Sequence, residues 1–369
     1  MLIGLNLLPF QPGIGGTWQY VANLLAALAE HDSDNEFIAY VTRASEYLVP
    51  EDKRFLRVRV SLDPASRPLR IAFENSLLPR IVARRPVDCL HHFFGVLPFR
   101  STTPNVVTIY DLMAFERPGD FTALKRNYLR VMIRRAARRA TMLAPVSNAT
   151  AEHIQREFGV PLERIQVVPA AIADSFAPAQ ATEVATFRER YGLPEMFWLF
   201  VSGPYPHKNH QLLLSAFAML QRRPHAGWPL VVRGDLPADV RAMLAGLTPG
   251  SVLQLPELDD AEMPLLYSAA SALVFPSLFE GGGQPVMEAM ACGCPVVASS
   301  IPTTHEFARG AAITFDPSSA DALVQAMTRC EESAALRSDL SAEGLKAVRF
   351  LRPTAAAAAC MQAYRRATA

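Results

Sequence analysis

The sequence predicts an α/β protein with two doubly wound, Rossmann-like domains, and three observations support this prediction. The chain has 369 residues, more than a single hydrophobic core usually organises. Short apolar runs alternate with segments of helical apolar spacing along most of its length. The alternation pauses at residues 170–195, which read as a linker followed by a short helix, and then restarts. Two Rossmann-like halves imply a cleft between domains, a common place for ligands.

The first domain is predicted to span residues 1–175. Strands are expected at 2–8, 37–41, 56–60, 106–110, 142–146 and 167–169, with a further strand ending at His92. Helices are expected at about 17–30, 70–83, 123–140 and 148–158. Thr17 and Ser147 carry hydroxyls suited to cap the first and last of these helices.

The second domain is predicted to span residues 190–350. Strands are expected at 197–202, 230–233, 252–255, 272–275, 295–298 and 313–315. Helices are expected at about 209–222, 236–246, 261–270, 285–292 and 319–332, and the Ala-rich segment 354–369 is also predicted to be helical.

Composition narrows the classes of function. Half of the residues are apolar and 19% are charged, which is typical of a soluble globular protein. No run approaches the ~20 apolar residues that span a membrane, and the N-terminus reads as a strand rather than a signal peptide. The five cysteines show no metal-binding spacing, so reduced thiols in a cytoplasmic protein are expected. A net charge of +1 argues against nucleic acid as a partner.

Residues 275–299 carry the strongest functional signal. An apolar strand is followed by Glu280, three glycines (Gly281, Gly282 and Gly283), and a helix that has Pro285 in its first turn. This arrangement aims a helix N-terminus at an anion such as a phosphate. Glu288 follows Glu280 after seven residues, so the two carboxylates could lie about 10 Å apart. That spacing suits a nucleotide sugar, although two solvated glutamates beside a plain βα turn remain the alternative.

A similar strand–glycine–helix pattern occurs at Gly15 and Gly16, near the start of the chain. These glycines fit either a diphosphate-binding loop or a plain βα turn. Asp32-Ser-Asp34 has the form of a metal-binding Asp-x-Asp, but it follows a helix end without a strand and reads as a solvated turn. No metal site is predicted.

The segment from Pro276 to Ser299 resembles the signature of family 4 glycosyltransferases, which are retaining enzymes of the GT-B fold. Further similarity lies at 106–112, 144–148, 167–171 and 207–209 and covers nearly the whole chain. The sequence departs from the family pattern at Gly282, Gln284, Tyr110 and His207. The resemblance implies that the C-terminal helix packs back on the first domain.

The resemblance also implies roles for individual residues. Glu280 would stabilise the transferred sugar, Glu288 would bind the ribose hydroxyls, and Lys208 would neutralise the diphosphate. The other expected donor-binding residues are Gly15, Gly16, Gly203, His207, Leu255, Gly281, Gly282, Gly283 and Gln284. His207 either assists Lys208 or is simply exposed. Asp111 is expected near the chemistry, with His91 and Tyr110 on the acceptor side. Asp111 and His91 are either polar binders on the acceptor side or satisfied loop residues. His91 and His92 are expected to point into a loop at the end of their strand.

The implied activity is transfer of a hexosyl group, mannose included, from a nucleoside-diphosphate sugar to a glycan or lipid-linked acceptor of bacterial surface polysaccharide, with no cofactor. Alternatives of the same fold are a nucleotide-sugar epimerase and a nucleotide-sugar binder that has lost catalysis. A phosphorylase would need a far longer chain.

The predicted helix at 125–139 places four arginines at i,i+4 steps: Arg126, Arg130, Arg134 and Arg138. This ridge is either a solvated face or a site for peripheral binding to anionic lipid at the inner face of the cytoplasmic membrane.

Overall fold

The computed structural model describes residues 1–11, 16–63, 65–100, 103–223 and 227–369. The chain divides into two compact units. Unit 1 comprises Met1–Ala171 together with Leu351–Ala369, and unit 2 comprises Ile172–Phe350. Unit 1 is therefore built from both ends of the chain.

The described part of the chain contains two six-stranded sheets in which all neighbouring strands are parallel. The strands of unit 1 are β1 (Leu2–Asn6), β2 (Glu36–Val41), β3 (Phe55–Arg59), β4 (Cys89–His92), β5 (Asn105–Ile109) and β6 (Met142–Pro145). The strands of unit 2 are β7 (Trp198–Val201), β8 (Leu230–Arg233), β9 (Val252–Leu255), β10 (Ala272–Phe275), β11 (Val296–Ser299) and β12 (Ile313–Phe315).

Helices connect these strands. In unit 1 they are α1 (Gly16–His31), α2 (Arg67–Ser76), α3 (Leu78–Arg84), α4 (Met113–Glu116), α5 (Ala123–Arg139) and α6 (Asn148–Phe158). In unit 2 they are α7 (Ala181–Tyr191), α8 (His210–Gln221), α9 (Ala238–Met243), α10 (Met263–Ala269), α11 (Gln284–Ala291), α12 (Pro302–Ala308), α13 (Ala320–Glu332) and α14 (Ala334–Ala347). The final helix, α15 (Pro353–Thr368), belongs to unit 1.

Both sheets have the same doubly wound topology, which confirms the predicted fold class. The strand order is β3-β2-β1-β4-β5-β6 in unit 1 and β12-β11-β10-β7-β8-β9 in unit 2. The order reverses direction between β1 and β4 in the first sheet and between β10 and β7 in the second. Open α/β sheets bind ligands outside the carboxyl ends of the strands at such switch points.

The C-terminal helix packs on unit 1, as the family resemblance implied. α15 lies against α1 and against the strands β4, β5 and β6. Its inward face buries Ala356, Cys360 and Tyr364 almost completely. Small alanines allow this helix to approach the sheet closely.

The structure corrects several element boundaries. The predicted helix at 70–83 is two helices, α2 and α3, because Pro79 lacks the N–H that would continue the ladder and occupies the first turn of α3 instead. Residues 167–169 lie beside β6, where Val168 N–H donates to the Pro145 carbonyl at 2.9 Å, but they do not form a strand. α12 and α14 were not predicted.

Asp32 is buried rather than solvated. Its carboxylate accepts hydrogen bonds from the backbone N–H groups of Asp34 and Asn35 and from the Asn35 side chain at 2.7 Å. The expectation of a solvated turn was wrong for this residue, which instead satisfies the backbone of the turn before β2.

Candidate functional site

The loop from β10 to α11 lies at the switch point of the unit 2 sheet and contains the three glycines. Gly283 has φ = +58° and caps α11, with Pro285 in the first helical turn. A Cβ at Gly283 would contact one atom of the Phe307 ring, at an ordinary distance of 3.6 Å, so a larger side chain is not excluded by lack of space. Glycine is favoured here because the backbone is in the left-handed region. The predicted strand–glycine–helix arrangement is therefore present, with a helix N-terminus at the carboxyl edge of the sheet.

Lys208 and Glu280 are brought together at this edge. The Lys208 Nζ atom lies 2.7 Å from Glu280 Oε1, and the two side chains are 13% and 11% exposed. The same Nζ lies 5.2 Å from the centroid of the Phe275 ring. A largely desolvated ion pair of this kind interacts more strongly than one in water.

The backbone around Lys208 is pinned to the neighbouring loop. Asn209 has φ = +59° and donates through its side-chain amide to the carbonyls of Pro276 (3.1 Å) and Pro317 (2.9 Å). Leu278 N–H donates to the His207 carbonyl at 2.8 Å. These bonds link the loops after β7 and β10, which explains why residues 72 positions apart in sequence form an ion pair.

His207 is buried rather than exposed. It is 9% exposed, and the Tyr205 ring stacks on it with centroids 5.8 Å apart. Gly203 precedes this turn, and a Cβ there would lie 2.8 Å from the Tyr205 ring. Glycine at this position therefore leaves room for the aromatic ring that covers His207.

Glu288 is held by two side-chain donors. Tyr267 OH donates to Glu288 Oε2 and Gln284 Nε2 donates to Glu288 Oε1, each at 2.9 Å. Burial raises the pKa of Glu288 to about 7, although both hydrogen bonds act in the opposite direction. Gln284, which departs from the family pattern, thus orients this carboxylate. Sequence reasoning missed Tyr267 because it lies 21 residues away, on α10.

The last residues of three adjacent strands in unit 2 lie side by side. Val201 of β7 pairs with Arg233 of β8, which pairs in turn with Leu255 of β9. Leu255, the expected base contact, is 6% exposed. The carboxyl edge thus runs from the loop carrying Lys208 to the end of β9.

The predicted site residues of unit 1 do not form a cluster like that of Lys208 and Glu280 in the described structure. Gly15 lies outside the described residues, and Gly16 is the first residue of α1. Asp111 accepts a hydrogen bond from the Met113 backbone N–H at 2.8 Å, at the start of α4. Tyr110 is mostly buried, and its ring meets Tyr20 edge-to-face at 5.4 Å.

His91 does not point into a loop, so that prediction was wrong. It is fully buried, with Nδ1 2.9 Å from Tyr364 OH and Nε2 2.8 Å from Thr108 Oγ1. Burial lowers the pKa of His91 well below its usual value, so the ring is neutral. The strand extends to His92, and alternation places His91 against α15, where it serves the core rather than an acceptor.

A polar cluster that sequence reasoning missed lies at the switch point of the unit 1 sheet. Asn6 ends β1 and His92 ends β4, and the Asn6 amide lies 3.1 Å from His92 Nδ1. The same amide donates to Glu74 at 2.8 Å, and Arg70 Nε lies 3.8 Å from the other Glu74 oxygen. All four residues are at least 90% buried. In the described ranges, His92 Nε2 and Arg70 Nε are buried without a hydrogen-bond partner.

Only part of the predicted basic ridge on α5 is exposed to solvent. Arg126 and Arg130 are partly buried and donate to the carbonyls of Pro118 and Ala114. The exposed stripe instead mixes apolar and basic side chains within a narrow arc of the helix. It consists of Leu124, Asn127, Val131, Arg134 and Arg138. Among the residues that the structure describes, no helix is long and apolar enough to cross a membrane.

Comparison with known proteins identifies the class. A family model described as glycosyl transferases group 1 matches residues 185–347, and one described as glycosyltransferase family 4 matches residues 14–176. Together the two models match most of the chain, so the protein is a glycosyltransferase. It belongs to glycosyltransferase family 4 and has the GT-B fold.

Individual relatives agree with this assignment. The chain is 29% identical to O-antigen chain mannosyltransferase B of Escherichia coli over 76% of this chain and 75% of that protein. It is 27% identical to O-antigen chain mannosyltransferase RfbU of Salmonella typhimurium over 82% and 83%. A sucrose-phosphate synthase structure from Thermosynechococcus elongatus has the same fold, with a TM-score of 0.78 and 20% identity over 99% and 98% of the two chains.

Proposed function

We propose that this glycosyltransferase moves a hexosyl group, with mannose as the leading choice, from a nucleoside-diphosphate sugar to a glycan or lipid-linked acceptor during synthesis of a bacterial surface polysaccharide. The two relatives named as O-antigen chain mannosyltransferases support both the sugar and the product class. The ion pair between Lys208 and Glu280 beside the N-terminus of α11 is the structural observation that carries the proposal.

The donor fits unit 2 by its chemistry. Transfer leaves a diphosphate with additional negative charge, which Lys208 and the N–H groups at the start of α11 would stabilise. Glu280, next to the cation, would stabilise the positive charge that develops on the sugar ring. Glu288, with both oxygens oriented by neighbours, would accept hydrogen bonds from ribose hydroxyls. The proposed chemistry needs no metal, because protein groups supply the positive charge.

We further propose that transfer retains the anomeric configuration. The bond between the sugar C1 and the phosphate oxygen breaks, and a bond from C1 to the acceptor oxygen forms on the same face. The acceptor proton passes to the leaving phosphate oxygen. This route suits a site whose acidic residue, Glu280, is paired with Lys208 rather than free to act as a nucleophile.

The acceptor is proposed to bind at the switch point of the unit 1 sheet. Asn6, Arg70, Glu74 and His92 supply donors and acceptors suited to sugar hydroxyls. Burial raises the pKa of Glu74 and lowers that of His92 to about 3, so His92 is neutral at physiological pH. A neutral imidazole with an unpartnered nitrogen can pair with a hydroxyl.

The experiment that tests this function measures donor binding and turnover separately. The melting temperature is recorded with a panel of UDP-, GDP- and ADP-linked sugars, and slow release of free sugar from the stabilising donor is followed by NMR, which also reports its anomeric configuration. Glu280→Gln is expected to keep nucleotide binding and to lose about 100-fold in turnover. Glu257→Gln, at an exposed glutamate of the same unit, serves as the control.

Two results would contradict the proposal. If no nucleotide sugar raises the melting temperature, the donor assignment fails. If Glu280→Gln and Glu257→Gln turn over the donor equally, Glu280 has no part in the chemistry.

A further inference from the structure

Arg233 occupies a central place on the carboxyl edge of the unit 2 sheet. It is the last residue of β8 and pairs with Val201 on one side and Leu255 on the other. The chain beyond Val201 leads to Lys208, and β7 is also the neighbour of β10, whose loop carries Glu280. Arg233 therefore lies one strand away from the proposed diphosphate site, next to the strand expected to meet the base.

The side chain of Arg233 has an unsatisfied donor. Its Nε–H is buried and has no hydrogen-bond partner within the described residues. Arg188 also has a buried Nε without a partner, but its guanidinium donates to the Ala269 carbonyl at 2.6 Å, and Arg337 donates to the Cys330 carbonyl at 2.8 Å. The Arg233 side chain makes no such hydrogen bond within the described residues. A buried guanidinium donor without a partner costs free energy, and a ligand can remove that cost.

The backbone at Arg233 is fixed by its neighbours. Ser202 N–H donates to the Arg233 carbonyl at 3.1 Å. The next residue, Gly234, has φ = +113°, and a Cβ there would lie 2.0 Å from the Ser202 carbonyl oxygen. This close approach requires glycine and holds the end of β8 against the loop that leads to Lys208.

Arg233 interacts electrostatically with Glu288, the proposed ribose-binding residue, because its positive charge acts to lower the pKa of that carboxyl. The two do not form an ion pair in the described structure, where both Glu288 oxygens already accept hydrogen bonds from Tyr267 and Gln284. Arg233 is thus near Glu288, and its positive charge is not neutralised by an ion pair with that carboxylate.

We infer that Arg233 is a second phosphate-binding cation of the donor site, which contacts the diphosphate of the nucleotide together with Lys208. The inference rests on the proposed function of unit 2 as the donor-binding unit. Arginine suits this task because its planar guanidinium donates two parallel hydrogen bonds to phosphate oxygens. In the sequence, the feature that marks this position is one arginine directly after the apolar residues Leu-Val-Val of β8.

Calorimetry on the full-length protein tests the inference with UDP and GDP, and with uridine and guanosine as the matching nucleosides without phosphate. Arg233→Gln is expected to weaken binding of the diphosphate at least tenfold and to leave nucleoside binding unchanged. Arg233→Lys keeps the charge and is expected to lose less. The control is Arg222→Gln, which removes an exposed arginine beyond the C-terminus of α8, at the opposite edge of the sheet.

The outcomes separate this inference from the proposed function. If the wild-type protein binds neither diphosphate, the donor assignment itself fails. If the wild type binds and Arg233→Gln binds equally well, only the role of Arg233 is overturned. An equal loss for nucleoside and diphosphate would also overturn it, because it would place Arg233 at the base. A wild-type melting temperature for Arg233→Gln or Arg233→Lys verifies that a loss of binding does not reflect unfolding.

Discussion

At the scale of single residues, Glu288 shows how one carboxylate can be both oriented and electrostatically strained. Tyr267 and Gln284 each occupy one of its oxygens, which fixes the plane of the group. Burial nevertheless disfavours its charged form, and its pKa rises to about 7. A carboxylate with this pKa changes charge within the physiological range.

Donor binding is therefore expected to depend on pH through Glu288. Below about pH 7 the group is protonated and loses acceptor capacity, so the KM for the donor should rise as pH falls through that value. Tyr267→Phe removes a hydrogen bond that lowers the pKa, so the rise should begin at a higher pH. Tyr191→Phe removes a similar tyrosine–glutamate bond, to Glu262 at the N-terminus of α10, and serves as the control.

Steady-state kinetics between pH 5.5 and 9 provide the measurement. A shift of one unit in the pKa of Glu288 corresponds to ~1.4 kcal/mol of interaction free energy between its two protonation states. A donor KM independent of pH, or the same profile in both tyrosine variants, would contradict the prediction. The effect of pH on the stability that Glu288 contributes is opposite to that of an acidic group whose pKa is lowered by folding. Because the pKa of Glu288 is higher in the folded state than in the unfolded state, its contribution to stability falls as pH rises from about 4.5 to about 7 and is constant above that.

Much of the unit 2 site could be predicted from sequence, because its residues are close in sequence or follow strand ends. Glu280, the glycines and Glu288 fall within one βα turn, and Lys208 follows the adjacent strand. Tyr267 and Arg233 could not be assigned from spacing, since their roles depend on strand register and on a contact between α10 and α11. His91 was misplaced because it lies within β4 and is covered by Tyr364, and a contact between residues 273 positions apart cannot be read from spacing.

At the scale of elements, α11 depends on a backbone conformation that only its cap residue supplies. Gly283 adopts φ = +58° immediately before the helix, and Gly192 adopts φ = +60° immediately after α7. The two glycines therefore carry nearly the same conformational demand in the same unit. Only the first of them lies at the candidate donor site.

Gly283→Ala and Gly192→Ala form a matched pair. Each should lower the free energy of unfolding by about 1–2 kcal/mol, the cost of a left-handed conformation for an L-residue. Only Gly283→Ala should also weaken nucleotide binding, because it alters the N-terminus of α11. Chemical denaturation and calorimetry with UDP and GDP measure the two effects, and equal nucleotide affinity in both variants would refute the role of this cap.

The strands of unit 2 were predicted nearly to the residue, because buried parallel strands are short apolar runs bounded by turn residues. The helices that were missed lack such a signal. α12 has only seven residues and starts at a proline, and the apolar residues of α14 do not follow one face. The break between α2 and α3 depends on one proline within an otherwise helical pattern.

At the scale of the whole molecule, the α5 stripe is an exposed surface of unit 1. We propose that this stripe binds anionic lipid and holds the enzyme at the inner face of the cytoplasmic membrane. Leu124 and Val131 are 84% and 55% exposed, and Arg134 and Arg138 continue the same stripe. Exposed apolar and basic groups together suit the interfacial region of a membrane.

Co-sedimentation with vesicles containing anionic lipid tests this proposal. Arg134→Glu combined with Arg138→Glu is expected to weaken binding about thirtyfold, since each basic residue near the surface contributes about 1 kcal/mol. Arg222→Glu combined with Arg329→Glu makes the same charge change at exposed positions of unit 2 and should have little effect. Equal binding by the two double variants would exclude the stripe as a lipid contact.

The return of the chain to unit 1 has a consequence for biosynthesis. Tyr364 supplies the hydroxyl that meets His91, yet it follows that histidine by 273 residues. A ribosome must therefore synthesise all of unit 2, which is continuous in sequence, before the helix that covers β4, β5 and β6 exists. During translation unit 1 therefore begins first and is completed last, while unit 2 can finish folding in between.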